Sequence, residues 1–390
     1  MNDTQGLSNG EAKASDDDSN QFKSFNCTAD RGFSVWVANS GGSLAVSTYQ
    51  AGRLLLIGWL GKQLSLLPRQ FSRPMGLDVQ GDRLVLATHH EITSFYNSSI
   101  LAQEYLQDQP GRYDALFLPR ITYHTADLQL HDLALTENGI WFVNTSFSCL
   151  AQPSPSHNFV PRWKPDFISE LAPEDRCHLN GLAMDRDEPA FVTALCESNQ
   201  PAGWREHKVG GGIVIDVRKN RIITRDLAMP HSPRLYRNAL WVLNSGYGQL
   251  LRIDPESGKR SVICELPGYL RGLTFVNDVA LIGLCQARET KVFGGMPVES
   301  RYDRLKCGVA LIDLKKGAQI GWFEFTSGCS EIYDIRFLPG KRRPNILSLE
   351  KEAWQQAFSA APDIYYWMRP KTETPSEQQA SEDNPRTKMD

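Results

Sequence analysis

One layout recurs along this chain at intervals of about 40–60 residues, the spacing of propellers and solenoids. The stretch "NGLAMDRDEPAFVTALCESNQPAGWREHKVGGGIVIDVRKNRIITRDLAMP" begins at Asn180 and offers four β-prone runs broken by Gly, Asn or Asp turns. The same layout begins at Phe33 ("FSVWVANSGGSLAVSTYQ"), at His231 ("HSPRLYRNALWVLNSGYG") and at Arg271 ("RGLTFVNDVALIGLCQ"). Units from Met75, His131 and Tyr333 share at least its first two runs. No such unit can bury its apolar face alone, so the units must pack on one another. The expectation is an all-β chain closed as a β-propeller of seven blades, each of four antiparallel strands. Six blades remain open if one weak unit is irregular. The last unit is short of a fourth strand, which "DIYYWM" or "KSFNCT" would supply. Few segments carry helical periodicity; "SLEKEAWQQAF" is the main exception.

The 390 residues are 41% hydrophobic and 22% charged, a core-forming composition. The polar ends, 1–24 and 370–390, read as disordered segments flanking a propeller domain at 25–369. A net charge of −3 gives no reason to expect nucleic acid. No apolar run approaches the roughly 20 residues of a spanning helix, so no membrane partner is expected. The N-terminus lacks the basic and apolar regions of a secretory signal. None of the eight cysteines forms a CxxC pair, and a reduced, cytoplasmic protein is the expectation.

In a propeller the first strand of each blade lines the channel. Aligned on that strand, the units start at Val35, Met75, His131, Asn180, His231, Arg271 and Tyr333. The next positions are Trp36, Gly76, Asp132, Gly181, Ser232, Gly272 and Asp334. Ends of the second strands fall on the same face and carry Thr88, His89 and His90, Asn144 to Ser146, Asn244 and Ser245, Gln286 and Glu350. Long loops bring Trp163, Trp204, Arg205, His207, Arg288 and Arg301 towards that face, where a site belongs.

Imidazoles with carboxylates suit either a divalent metal or acid–base work. His131, His178 and His231 are the candidate ligands of one divalent ion. His131, Asp132, His231 and Asp334 are the candidate catalytic groups, with Glu331 a further carboxylate. Asn180, Arg271, Tyr333, Asn144, Asn244 and Trp204 are candidate ligand-binding residues. These polar groups could equally bond only to neighbouring blades and water. Strand alternation is expected to send His89 and His90 to opposite sides. "KVGGGIVI" leads into a strand and so is not a phosphate loop, and neither GxSxG nor a cysteine-protease signature is present.

"LNGLAMDRDEPAFVTA" resembles a repeat of the gluconolactonase and strictosidine-synthase-like propellers. That resemblance implies a central divalent ion at Asn180, usually calcium, with Asn244 where a partner aspartate would stand. Through "STYQAGRLLLIG", "RPMGLDV" and "HDLALTENGIWFVNT" with "HLNGLAM", residues 25 to 350 resemble a bacterial propeller family to which no activity is assigned. Two functions follow. One is an enzyme or small-molecule-binding propeller with a polar, metal-capable channel mouth. The other is a non-catalytic scaffold that grips a protein partner with its loop-rich face.

Overall fold

Short alternating runs with tight polar turns fold here as hairpins, and the hairpins pair into six sheets arranged as blades around one channel. The computed structural model describes residues 5–6, 25–286, 294–349 and 352–369. From the channel outwards, blade 2 runs Leu77–Gln80, Arg83–Ala87, Glu91–Asn97 and Ala115–His124. Blade 3 runs Leu130–Thr136, Gly139–Asn144, Cys149–Gln152 and Val160–Trp163. Blade 4 is Leu179–Asp185, Glu188–Ala194, Gly212–Asp216 and Arg221–Leu227. Blade 5 is Pro230–Tyr236, Ala239–Asn244, Gln249–Ile253 and Arg260–Glu265. Blade 6 is Tyr269–Val276, Val279–Cys285, Gly308–Asp313 and Ala318–Ser327, with Asn26–Ala29 added outside.

Blade 1 corrects the count from seven to six. Its innermost strand, Asp334–Pro339, comes from the last repeat and pairs with Gly42–Thr48, followed by Arg53–Leu60 and Gln63–Gln70. The first and last repeats are thus two parts of one blade, and their pairing closes the ring. "FSVWVAN" is not a channel strand but most of a helix, Arg31–Asn39. Asp30 caps it by accepting from Phe33 N at 2.7 Å. Phe33 and Val37, four apart, are its buried face, and Val35 is 50% exposed. Neither expected completing strand makes a seventh blade. Asn26–Ala29 joins blade 6, and Ile364–Trp367 pairs with Ala357–Ala360 in a separate hairpin. The helical pattern "SLEKEAWQQAF" yields a short 3-10 turn at Glu352–Gln356 followed by that hairpin's first strand.

A polar seam holds the blades together at the channel. The residue after each strand start alternates around the ring: Asp334, Gly76, Asp132, Gly181, Ser232, Gly272. Each polar member reaches a backbone N–H of the next blade. Asp334 accepts from Leu77 N at 3.3 Å, Asp132 from Leu182 N at 3.0 Å, and Ser232 Oγ from Gly272 N at 3.0 Å. The glycines leave the space for this approach; a Cβ on Gly272 would lie 2.9 Å from Ile335 N, and one on Gly76 would lie 3.0 Å from Asp132 Cα. Buried Arg336 and half-buried Arg234 neutralise the aspartates. Arg336 Nη1 donates to Asp334 at 2.7 Å and its Nε to Asp78 at 3.0 Å, while Arg234 Nη1 meets Asp132 at 2.7 Å. Burial raises the Asp334 carboxyl, against the pull of Arg336 and Arg234.

Arg336 is therefore a closing pin between the last repeat and blades 2 and 3. Replacing it with Met should leave carboxylates buried without their main counter-charge and cost about 3–5 kcal/mol of unfolding free energy in urea. A loss below about 1 kcal/mol would contradict this role.

Candidate functional site

Above the seam the channel widens into a cavity of about 650 Å³. Each blade contributes a residue from the start of its inner strand: Tyr333, Met75, His131, His178, His231 and Arg271, from blades 1 to 6 in turn. Register shifts interrupt the inner hairpins after Leu130, Leu179, His231 and Leu270, so the ladder breaks where these side chains turn towards the mouth.

His131 and His231 are built by the same local device. Two residues before each, Gln129 (φ 52°) and Met229 (φ 50°) take left-handed backbone. Their carbonyls lie 2.9 Å from the histidine Nδ1. A hydroxyl just past the second strand completes the support. Thr145 Oγ1 is 2.9 Å from His131 Nδ1 and donates to Leu179 O of the next blade. Ser245 Oγ is 3.2 Å from His231 Nδ1 and donates to Leu270 O. With its hydroxyl proton so committed, each accepts, and Nδ1 carries the ring proton towards the carbonyl. Nε2 is left as a bare acceptor on the cavity side. Burial pushes both histidines well below the ordinary 6.5, helped at His131 by His178 and Arg271 and at His231 by Arg271. Both are neutral at pH 7.

His178 is held differently. Its Nδ1 lies 2.8 and 3.0 Å from the two oxygens of Asp175, and Trp204 Nε1 donates to Asp175 Oδ2 at 2.9 Å. The rings of His178 and Trp204 pack with centroids 4.4 Å apart. Two long loops support this group by meeting at buried Arg176, which donates to Glu174 at 2.8 Å, Glu170 at 2.9 Å and Asn199 at 2.8 Å. Across the mouth, the Arg271 guanidinium lies 3.6 Å above the Tyr333 ring centroid, and its Nη1 donates to Glu331 at 3.1 Å. Burial acts to lower the Arg271 pKa, but Tyr333 and Glu331 raise it, so it stays charged. Tyr333 in turn stacks on Tyr49 at 5.6 Å.

Of the expected site residues, His131, His178, His231, Arg271, Tyr333 and Trp204 meet in this cavity, with Glu331. Asp132 and Asp334 lie in the seam, engaged by arginines and backbone rather than lining the cavity. Asn180 turns away, accepting from Thr193 Oγ1 at 2.7 Å. Asn144 accepts from Phe147 N within its own turn and Asn244 from Ala228 N in the link entering blade 5, and the following residues, Thr145 and Ser245, support the histidines instead. Among the described residues, no group of three or more His, Cys, Asp or Glu is arranged to hold a metal ion. His131 and His178 meet edge to face with centroids 4.8 Å apart, rather than converging with His231 on one point. The Asn180-centred ion of the gluconolactonase-like reading likewise finds no such group.

His89 and His90 correct the strand-alternation expectation: they occupy a turn, and their rings lie 3.6 Å apart. Val35 and Trp36 are on the helix, away from the channel. Trp163, His207 and Arg301 do not line the cavity, whereas Arg205 does. Arg288 and Glu350 lie outside the described residues, as do 1–4, 7–24 and 370–390 of the expected disordered ends. The cavity carboxylates missed from sequence were Asp127 and Asp175; for Asp175, its i, i+3 spacing to His178 in "DRCH" was the available signal.

A family model for a domain of unknown function, DUF4915, matches residues 31–347. No curated protein matches the chain. Among solved structures, that of a nidogen/laminin complex aligns at 11% identity and a TM-score of 0.47, covering 77% of this chain and 99% of that chain.

The neutral histidines make stability depend on pH in a definite direction. The unfolded chain protonates each near 6.5 and the folded chain only well below it. Between those limits the unfolded state binds more protons, so stability falls as pH drops below 6.5. The slope should reach about 1.4 kcal/mol per pH unit for each histidine. Urea titrations from pH 7.5 to 5.5 should show a flatter dependence for His131→Gln/His231→Gln than for wild type; equal slopes would contradict the assignment.

Proposed function

The chain belongs to the DUF4915 family, and we propose that it binds a small polar molecule at the mouth of its propeller channel. One observation carries this reading: the imidazoles of buried His231 and half-buried His131 are held neutral, each with its second nitrogen left as an acceptor in an open cavity of about 650 Å³. A volume of that order suits a small metabolite. A scaffold that only spaces its blades has no need to bury imidazoles with an acceptor unused.

The lining favours a ligand class. Arg73, Arg205 and Arg271 are balanced by Asp127, Asp175 and Glu331, so a polyanion finds no net positive field. His131 and His231 ask for hydrogen-bond donors, and Tyr49, Tyr269, Tyr333 and Trp204 offer flat apolar surface. A hydroxylated or amine-bearing molecule, uncharged or zwitterionic, fits this set best.

Wild-type protein and a His131→Ala/His231→Ala/Arg271→Ala variant should be screened by thermal shift against sugars, polyols, hydroxy acids and amino acids. A true ligand at 100 times its Kd should stabilise the wild type by about 2.7 kcal/mol and leave the variant unmoved. If no compound separates the two and a protein partner binds both alike, the mouth is channel lining and the scaffold reading replaces this one.

A further inference from the structure

The three histidines of the cavity are not equivalent. Peptide carbonyls hold Nδ1 of His131 and His231. A carboxylate, that of Asp175, holds Nδ1 of His178. A carbonyl fixes a tautomer; a carboxylate also stabilises the positive charge that appears when the ring takes a proton at Nε2. Different surroundings for neighbouring titratable groups are the mark of divided acid–base roles.

The support behind His178 is correspondingly firm. Asp175 (φ 47°) and His178 (φ 51°) both hold left-handed backbone, uncommon for residues with a Cβ and held here by the local bonds. Asp175 N donates to Ser146 O at 2.9 Å, and Trp204 fixes one carboxylate oxygen. Trp204 is itself placed by its loop, where Ala202 N donates to Glu174 O at 2.9 Å. Loops from two parts of the chain therefore converge to orient one imidazole. Arg271 lines the same cavity and remains charged.

We propose that His178, oriented by Asp175, is a general base of this cavity, acting on a carbon or oxygen acid whose conjugate base carries its charge on oxygen. The inference rests on the small-molecule reading above and assigns that site a proton-transfer activity. In the step, a substrate C–H or O–H bond breaks and the proton passes to His178 Nε2. The electron pair stays on the substrate as an enolate or alkoxide, whose charge Arg271 stabilises. Asp175 remains ionised and steadies the imidazolium. No oxidant or reductant is required; the proton's return to another atom of the substrate completes an isomerisation, and where the enolate instead expels a β-oxygen substituent, that oxygen takes the proton from His178 as it leaves. Asp175 is a positioning residue; His131 and His231 accept hydrogen bonds rather than protons.

The test uses 5-nitrobenzisoxazole, a planar carbon acid. Removal of its ring C–H proton breaks the N–O bond and releases a coloured cyanonitrophenolate, with no other reactant. A positioned base should exceed equimolar free imidazole by about 100-fold or more. His178→Ala, with His178→Gln as a second variant should the first not fold, should fall to the imidazole background while still binding the probe by saturation-transfer NMR. Added imidazole should restore part of the His178→Ala rate. Asp175→Asn should lower kcat by about 10-fold or more at unchanged KM. Binding of the probe with no turnover above free imidazole, or a full rate in both His178 variants, overturns the general base and leaves the binding reading standing. Absence of binding by the probe and by every compound of the panel removes both.

Discussion

Asp132 and Asp334 sit where neighbouring inner strands meet, and each does two jobs with one carboxylate. It accepts a backbone N–H of the following blade and faces an arginine, Arg234 of blade 5 for Asp132 and Arg336 of the same strand for Asp334. Blades of a propeller are otherwise held by apolar faces, which resist separation but define rotation poorly. The seam supplies direction. Because Asp334 and Arg336 come from the last repeat, the same group locks the last inner strand into a blade whose other three strands come from the N-terminal part. Burying such ions is costly, and breaking one partner more so, which is why a closed set of bonds is needed there.

The seam also sets the floor of the cavity. One residue before each of its members, the inner strand delivers Tyr333, Met75, His131, His231 and Arg271 to the mouth; in blade 4, His178, two residues before Asn180, lines it instead. Polar side chains are thereby sorted by depth. Charges that hold blades together lie below, engaged by one another and by backbone, and His131, His178 and His231 lie above, where the long loops add Asp175, Trp204 and Arg205. This division separates carboxylates engaged in the seam from imidazoles that line the cavity, although the two sets are adjacent in sequence.

Much of this was legible in the residues. The repeat spacing and turn chemistry located the inner hairpins of blades 2 to 6, and alignment of strand starts found five of the mouth residues. The blade count failed for a non-local reason: strand 334–339 pairs with residues 42–48, almost the whole chain away, and no local pattern announces that pairing. "FSVWVAN" misled because its apolar residues fit alternation as well as helical spacing, and the Asp30 cap was the discriminating feature. Asp132 and Asp334 were found as residues but their engagement in the seam was not, because their partners Arg234 and Arg336 project from other strand positions that alignment does not rank. Asn144 and Asn244 were one residue off: chain direction changes at the strand end, so the amide accepts a backbone N–H and the following hydroxyl faces the histidine. Asp175 and His178 depend on two left-handed residues and a loop contact, which only the folded chain reveals.

The claim that most of this account depends on is that His131 and His231 stand in the cavity as neutral acceptors. Long-range proton–nitrogen correlation spectra of protein labelled with 15N-histidine, recorded at neutral pH, measure this directly. The account predicts that both rings carry their proton on Nδ1 and present an unprotonated Nε2. Imidazolium signals, or a proton on Nε2 at either residue, would contradict it.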